Sequence, residues 1–447
     1  MTKQNPLSNS NSNAIIVIVI VIVIVIVIVI VIVIGIVIVF IPLAHISPGM
    51  LLNLLLTAAA AVLRTALAAD PVVFGYLPTW QLDKLEGIDL AKYTHLSVSF
   101  AIPDADAQLS LSNAETVFSS IPPLAQGQKL LVSLGGWTGS KHLSDIFKDA
   151  SKRQALQTQM IQWIRDYQLD GWDIDFEYPG RQGDSCHKFD AQADTPNFLK
   201  FLAELRDQMD SEFPPTATDG RKLITLATRF QPFDGPNGPL SDVSAFAGPV
   251  DYFNLMLYDF NGAWSDTTGP NAPVDFTPNR GLQYSFKSSI DQWIDAGIPA
   301  GKVVAGLPFY GRTVTATGDL TGAKDMYQPL VRSRIPQGDS DDIEESDPSC
   351  GGPKVFSGIW KYRNIRMEIL DQSSEEPSDP WVRRFDEGTG TPWLFNRDTR
   401  DFVSYDDPQS IMLKTKHAVE KGLAGVMVWA ITNDYNNELL GAIYNTM

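Results

Sequence analysis

The chain has 447 residues, room for one large domain or two to three of average size. Apolar residues make up 44% and charged residues 19%, an ordinary balance for a protein with a sizeable core. The formal charge, 35 − 52 = −17, repels phosphate backbones, which argues against nucleic acid as a partner and suits neutral substrates such as polysaccharides.

Residues 1–13 are polar, and Ile15 to Phe40 is then an Ile/Val alternation broken mainly by Gly35. Its length would span a bilayer, which takes about 20 apolar residues. Its β-branched composition makes an isolated copy an aggregation hazard in water. So regular a repeat could also come from a repetitive coding stretch or a wrongly chosen start codon, and residues 1–49 are read as lying outside the catalytic fold. A second apolar stretch, 50–69, ends in Ala66-Leu67-Ala68, the small-residue pattern of a signal-peptidase site. The expectation is a secretory leader ending near Ala68 and an extracellular destination. The alternative is an uncleaved membrane anchor through 15–40. A monomer is expected.

From Asp70 onward, short apolar strands alternate with amphipathic helices, which predicts parallel β/α architecture. The strands are placed at Val72–Leu77, His95–Ala101, Lys129–Leu134, Gly171–Glu177, Leu223–Thr228, Tyr252–Tyr258, Val303–Leu307 and Ala424–Ala430. Several are continuous apolar runs, as strands buried on both faces should be. Helical spacing connects Leu156, Met160, Ile161 and Ile164, and again Phe198, Leu202, Leu205 and Met209. Eight such units predict an α/β fold, a (β/α)8 TIM barrel. The long gap before the eighth strand places a small α+β insertion at 313–402, between strand seven and its helix. The insertion carries an acidic run, Asp339 to Asp347, read as solvated.

The fourth strand, Asp170-Gly-Trp-Asp-Ile-Asp-Phe-Glu177, carries the chemistry. Side chains alternate along a strand, so Asp173, Asp175 and Glu177 share one face, the barrel interior, while Trp172, Ile174 and Phe176 point outward. Three carboxylates on one buried face would ruin a merely structural strand, because like charges at low dielectric repel and lose their hydration. Some must hold protons, and carboxyl groups with separated pKa values are what acid/base catalysis needs. Glu177 falls at the strand's C-terminal end, the barrel face that carries active sites.

The pattern Asp170-x-x-Asp173-x-Asp175-x-Glu177 closely resembles the signature of glycoside hydrolase family 18, the chitinases and their relatives. The resemblance covers almost all of 70–447. Lys129-Leu-Leu-Val-Ser133-Leu-Gly135-Gly136-Trp137 looks like the third-strand motif and Met256-Leu-Tyr258-Asp259 like the sixth. Gly306-Leu-Pro-Phe-Tyr310-Gly311-Arg312 and Gly425-Val-Met-Val-Trp429 look like the seventh and eighth, and the surroundings of Cys186 and Cys350 look most like fungal members. The resemblance implies substrate-assisted hydrolysis of chitin or N-acetylglucosamine oligomers, in which the sugar's acetamido oxygen is the nucleophile. Glu177 would be the acid and then the base, and Asp175 would orient the acetamido N–H. Asp173 would share a proton with Asp175 from behind, and Tyr258 would hold the acetamido oxygen. Trp429 would floor the sugar site, with Trp137, Trp264, Phe100 and Met256 as further substrate contacts. Asp259 and Arg312 are sugar-hydroxyl candidates, Arg312 alternatively a buried ion-pair partner. Tyr76 and Ser133 would sit beneath Asp173, and Asp170 would support the strand end.

Cys186 and Cys350 could pair in a secreted protein, tying the insertion to the cleft rim, or remain free. Cys186-His187 could be half a metal site; the reading preferred is a loop cysteine beside a solvated histidine, with no metal and no cofactor expected. Three competing readings remain: a chitin-binding lectin, an endo-β-N-acetylglucosaminidase acting on N-glycans, and a membrane-anchored wall protein with the barrel as scaffold.

Overall fold

Eight parallel strands close on themselves: β1 (Val72–Pro78), β2 (His95–Pro103), β3 (Lys129–Gly135), β4 (Gly171–Asp175), β5 (Leu223–Arg229), β6 (Tyr252–Met256), β7 (Val303–Pro308) and β8 (Gly425–Trp429). Each pairs with the next in sequence, and β8 pairs with β1 from Val72↔Gly425 to Gly75↔Val428, which completes the barrel. The computed structural model describes residues 71–447 except 125–126, 217–219, 324, 334, 349 and 372–375; the Ile/Val run and the leader-like segment lie outside the described residues. No helix among the described residues is long and apolar enough to cross a membrane.

Local chemistry sets the helices. The helix Ala150–Tyr167 starts where the Asp149 carboxylate accepts the N–H groups of Ser151 and Lys152, and it stops where Gln168 turns left-handed. Its stripe Leu156, Met160, Ile161 and Ile164 is buried against the barrel, and the Met160 carbonyl accepts the indole N–H of Trp172 at 3.0 Å. Trp172, Ile174 and Phe176 belong to this outer core, so β4 alternates as its sequence requires.

β4 ends at Asp175 and β6 at Met256, two residues short of the expected limits. The reason at β4 is visible: the Glu177 N–H donates to the Ser140 hydroxyl at 2.9 Å instead of joining a strand ladder. The Glu177 side chain therefore stands just past the pleat, at the mouth.

Between β7 and the helix Pro408–Glu420, the chain builds a five-stranded antiparallel sheet ordered Ile359–Lys361, Tyr310–Thr315, Asp401–Ser404, Thr391–Asn396 and Trp381–Asp386. A two-stranded ribbon, Glu345–Asp347 with Gly351–Val355, rises from it. Asp341, Glu344 and Glu345 of the acidic run are exposed as expected, but two of its carboxylates are not. Asp342 is buried and accepts the N–H groups of Gly338 and Gly358 and the hydroxyl of Ser357, and buried Asp339 accepts from the N–H and ammonium of Lys361. These two carboxylates fasten the base of the ribbon, because a buried carboxylate is tolerated only when its lone pairs are filled.

Candidate active site

The lowest layer of the site is a saturated carboxylate. Ser133, Asp173 and Thr225 are direct register partners across β3, β4 and β5, which brings their inward side chains together. Asp173 Oδ2 accepts from the hydroxyls of Tyr76 and Ser133, both at 3.0 Å. Its Oδ1 accepts from Thr225 Oγ1 at 2.5 Å and Asn254 Nδ2 at 3.2 Å. An ionised carboxylate has about four lone-pair sites, and all are taken. Burial pushes the Asp173 carboxyl up from its ordinary range, and these four donors pull against it. Asp170, at the opposite end of β4, accepts from Lys129 Nζ at 2.7 Å and the Leu130 N–H at 2.9 Å.

Asp175 is the contrasting case. It is buried, and its Oδ1 has no hydrogen-bond partner. Asp173 and Asp175 are not hydrogen-bonded to each other; they act on one another through charge. Burial, then Glu177, then Asp173 raise the Asp175 carboxyl well above its usual range. A buried, raised and half-unpartnered carboxyl is suited to donate to, or accept from, something that enters the site.

Glu177 lies at the rim and is buried at 9% exposure. Its pKa is pushed up to about 7, chiefly by burial, with the Tyr178 hydrogen bond opposing and the Asp259 charge adding to the rise. Its backbone is fixed by Ser140, whose hydroxyl accepts the Glu177 N–H and donates toward the Gly136 and Asp175 carbonyls. That packing needs Gly135 and Gly136. Both have positive φ, a Cβ on Gly135 would lie 2.3 Å from the Asp175 carbonyl oxygen, and one on Gly136 would lie 2.8 Å from the Phe100 ring.

Tyr258 is buried beside Asp175, its hydroxyl pointing at Met427 Sδ 3.7 Å away, and Met256 is half-buried at the end of β6. Asp259 and Arg312 form a two-pronged ion pair at 2.5 and 2.7 Å, and Tyr310 adds a third bond to the same carboxylate at 2.7 Å. Of the two roles open to Arg312, the ion pair is formed, with the arginine half-buried. Its guanidinium also covers the Trp264 ring at 4.9 Å.

Half-buried Trp429 stacks on Phe100 at 5.6 Å and meets the Tyr76 ring edge-on at 5.5 Å. Phe100 continues to Trp80 at 6.2 Å. Trp80, Trp137 and Trp264 are 60%, 46% and 57% exposed, too open for core residues and available as flat apolar platforms. The site thus gathers Tyr76, Phe100, Ser133, Asp173, Asp175, Glu177, Tyr258, Asp259, Arg312 and Trp429. Sequence reasoning passed over Thr225, Asn254, Ser140, Tyr178, Tyr310 and Trp80. Thr225 and Asn254 carried a signal, each a polar residue at an inward position of an otherwise apolar strand.

Cys186 and Cys350 form a disulfide, with Cα atoms 5.4 Å apart. His187 is buried rather than solvated, with Asp184 Oδ2 at 3.9 Å from its Nε2. Ligand-type atoms of Cys186, His187, Asp184, Asp347 and Cys350 cluster there, but the two sulfurs are bonded to each other and neither is a thiolate for a metal.

A profile of Glycosyl hydrolases family 18 matches residues 72–434. A chitinase-like effector of Moniliophthora roreri is 32% identical over 87% of this chain and 96% of its own length. Chitinase A1 of Niallia circulans is 30% identical over 70% of this chain and 41% of its own length. Among solved structures, a chitinase from Rhizomucor miehei superposes with a TM-score of 0.77 at 31% identity, covering 84% of this chain and 99% of that one.

Proposed function

The chain belongs to glycosyl hydrolase family 18, and from that premise we propose that it cleaves β-1,4 linkages in chitin and N-acetylglucosamine oligomers by substrate-assisted, retaining catalysis. The observation that carries this reading is the pairing of a rim carboxyl held near pKa 7 with an unsatisfied buried carboxyl two residues before it. Protonated Glu177 gives its proton to the departing glycosidic oxygen. The substrate's acetamido oxygen attacks C1, forming an oxazolinium-type intermediate. Asp175 accepts the acetamido N–H and offsets the positive charge, while the Tyr258 hydroxyl turns from Met427 to the acetamido oxygen. Glu177 then takes a proton from the incoming water, which opens the intermediate with net retention. Asp173 acts through Asp175, as a fixed negative charge behind it. Trp429 and Phe100 supply the floor on which the pyranose stacks.

The pH dependence follows with a definite sign. The first step needs Glu177 protonated, and its pKa is raised to about 7, so the working form prevails below that value. Release of soluble oligomers from colloidal chitin should show kcat/KM falling tenfold per pH unit once pH is well above 7. An activity rising steadily from pH 7 to 9 would contradict the assignment of Glu177 as the acid.

The leader reading of 50–69 fits this function and draws support from the disulfide, since such bonds persist in oxidising compartments. Residues 70–447 then form the mature catalytic unit, acting outside the cell, with 313–402 as its insertion. N-terminal sequencing of protein from the medium should begin near residue 69; a chain still carrying the Ile/Val run would establish the anchored alternative instead.

A further inference from the structure

The disulfide takes no part in the chemistry above, yet it joins opposite sides of the barrel mouth. In an eight-stranded ring, β4 lies across from β8. The ribbon's base belongs to the β7–β8 side: Ile359–Lys361 pairs with Tyr310–Arg312 directly after β7, and Arg363 donates to the Thr432 carbonyl just past β8 at 2.6 Å. Its tip carries Cys350, bonded to Cys186 in the loop that follows β4. That loop is itself pinned to the β3–β4 rim, where Asp194 accepts the N–H groups of Asp190 and Gly180 and the Ser144 hydroxyl, and Lys188 meets Asp145 at 3.0 Å. The strand Gly351–Val355 is exposed along its whole length and its partner Glu345–Asp347 is partly buried, so the ribbon is not packed into the barrel core. The aromatic platforms run the other way, from Trp80 and Phe100 after β1 and in β2 to Tyr258 and Trp264 after β6.

We propose that the Cys186–Cys350 bridge fastens this ribbon as a roof over the substrate path, so that a polymer chain enters by its end and leaves by its end. The bridge thereby selects endwise over internal cleavage, and the inference rests on the polymer-cleaving reading given above. The double variant C186S/C350S releases the roof without touching Glu177, Asp175 or Tyr258.

The test follows viscosity and reducing ends together on soluble glycol chitin, with tetra-N-acetylchitotetraose as a short substrate that needs no threading. Wild type should lower viscosity little per bond cut. The double variant, and wild type reduced until both thiols titrate, should lower it several-fold more per bond, with tetramer turnover unchanged. Agreement of the variant with the reduced wild type excludes a folding defect as the cause. Equal viscosity loss per bond in all three, with the tetramer still cleaved, would overturn the roof and leave the hydrolase reading intact. Failure of wild type to cut either substrate would overturn the hydrolase reading and the roof with it.

Discussion

Glu177→Gln should lose chitin hydrolysis by about 10²–10⁴-fold in kcat, the range a positioned acid/base group contributes. Gln is nearly isosteric and can still accept bonds at the rim, but it has no proton to give the leaving oxygen. The stacking floor of Trp429 and Phe100 and the Asp173 layer beneath are untouched, so binding of N-acetylglucosamine oligomers should persist. Calorimetric titration with the tetramer, beside oligomer release from colloidal chitin, reads the two effects separately. A variant within tenfold of wild type would remove Glu177 from the role of acid. Equal inertness of wild type and variant, with binding retained in both, would make the protein a lectin.

The second large effect is discrimination for the acetamido group. Two of the carboxylates near Glu177 are already committed. Asp173 accepts four hydrogen bonds and lies at the bottom of the site. Asp259 is held by both prongs of Arg312 and by Tyr310. Asp175 keeps an unpartnered oxygen, and in the proposed mechanism that carboxylate receives the acetamido N–H rather than attacking C1. In the proposed mechanism the nucleophile arrives with the substrate as its acetamido oxygen, and a sugar bearing a plain 2-hydroxyl brings none. The expected loss on such a sugar is therefore nearly complete, set by the missing nucleophile rather than by weaker binding.

Much of this was legible in the chain itself. The even spacing of Asp173, Asp175 and Glu177 fixed their common face, and Trp172, Ile174 and Phe176 mark the other face as outer core. The eight apolar runs became the eight barrel strands, because strands buried on both faces have a composition that little else shares. What escaped was long-range pairing. Thr225 and Asn254 look like flaws in their strands until the register brings them to Asp173. Ser140 is 37 residues from Glu177, and no local pattern announces that its hydroxyl fixes the Glu177 backbone. Asp259 and Arg312 could each have met a sugar, and only three-dimensional placement joins them to each other. The acidic run departed from expectation at two positions only: solvation is the usual fate of clustered carboxylates, whereas Asp339 and Asp342 find enough donors to be buried.

In the proposed reaction Glu177 handles the proton while the substrate supplies the nucleophile. Incubating the protein with tetra-N-acetylchitotetraose and with cellotetraose, which differ at C2, and following fresh products by proton NMR separates this from an ordinary two-carboxylate glycosidase. The first should be cleaved with the new reducing end appearing in the β configuration, and the second should not be cleaved. Efficient hydrolysis of cellotetraose, or a new end that appears as the α anomer, would contradict that reaction.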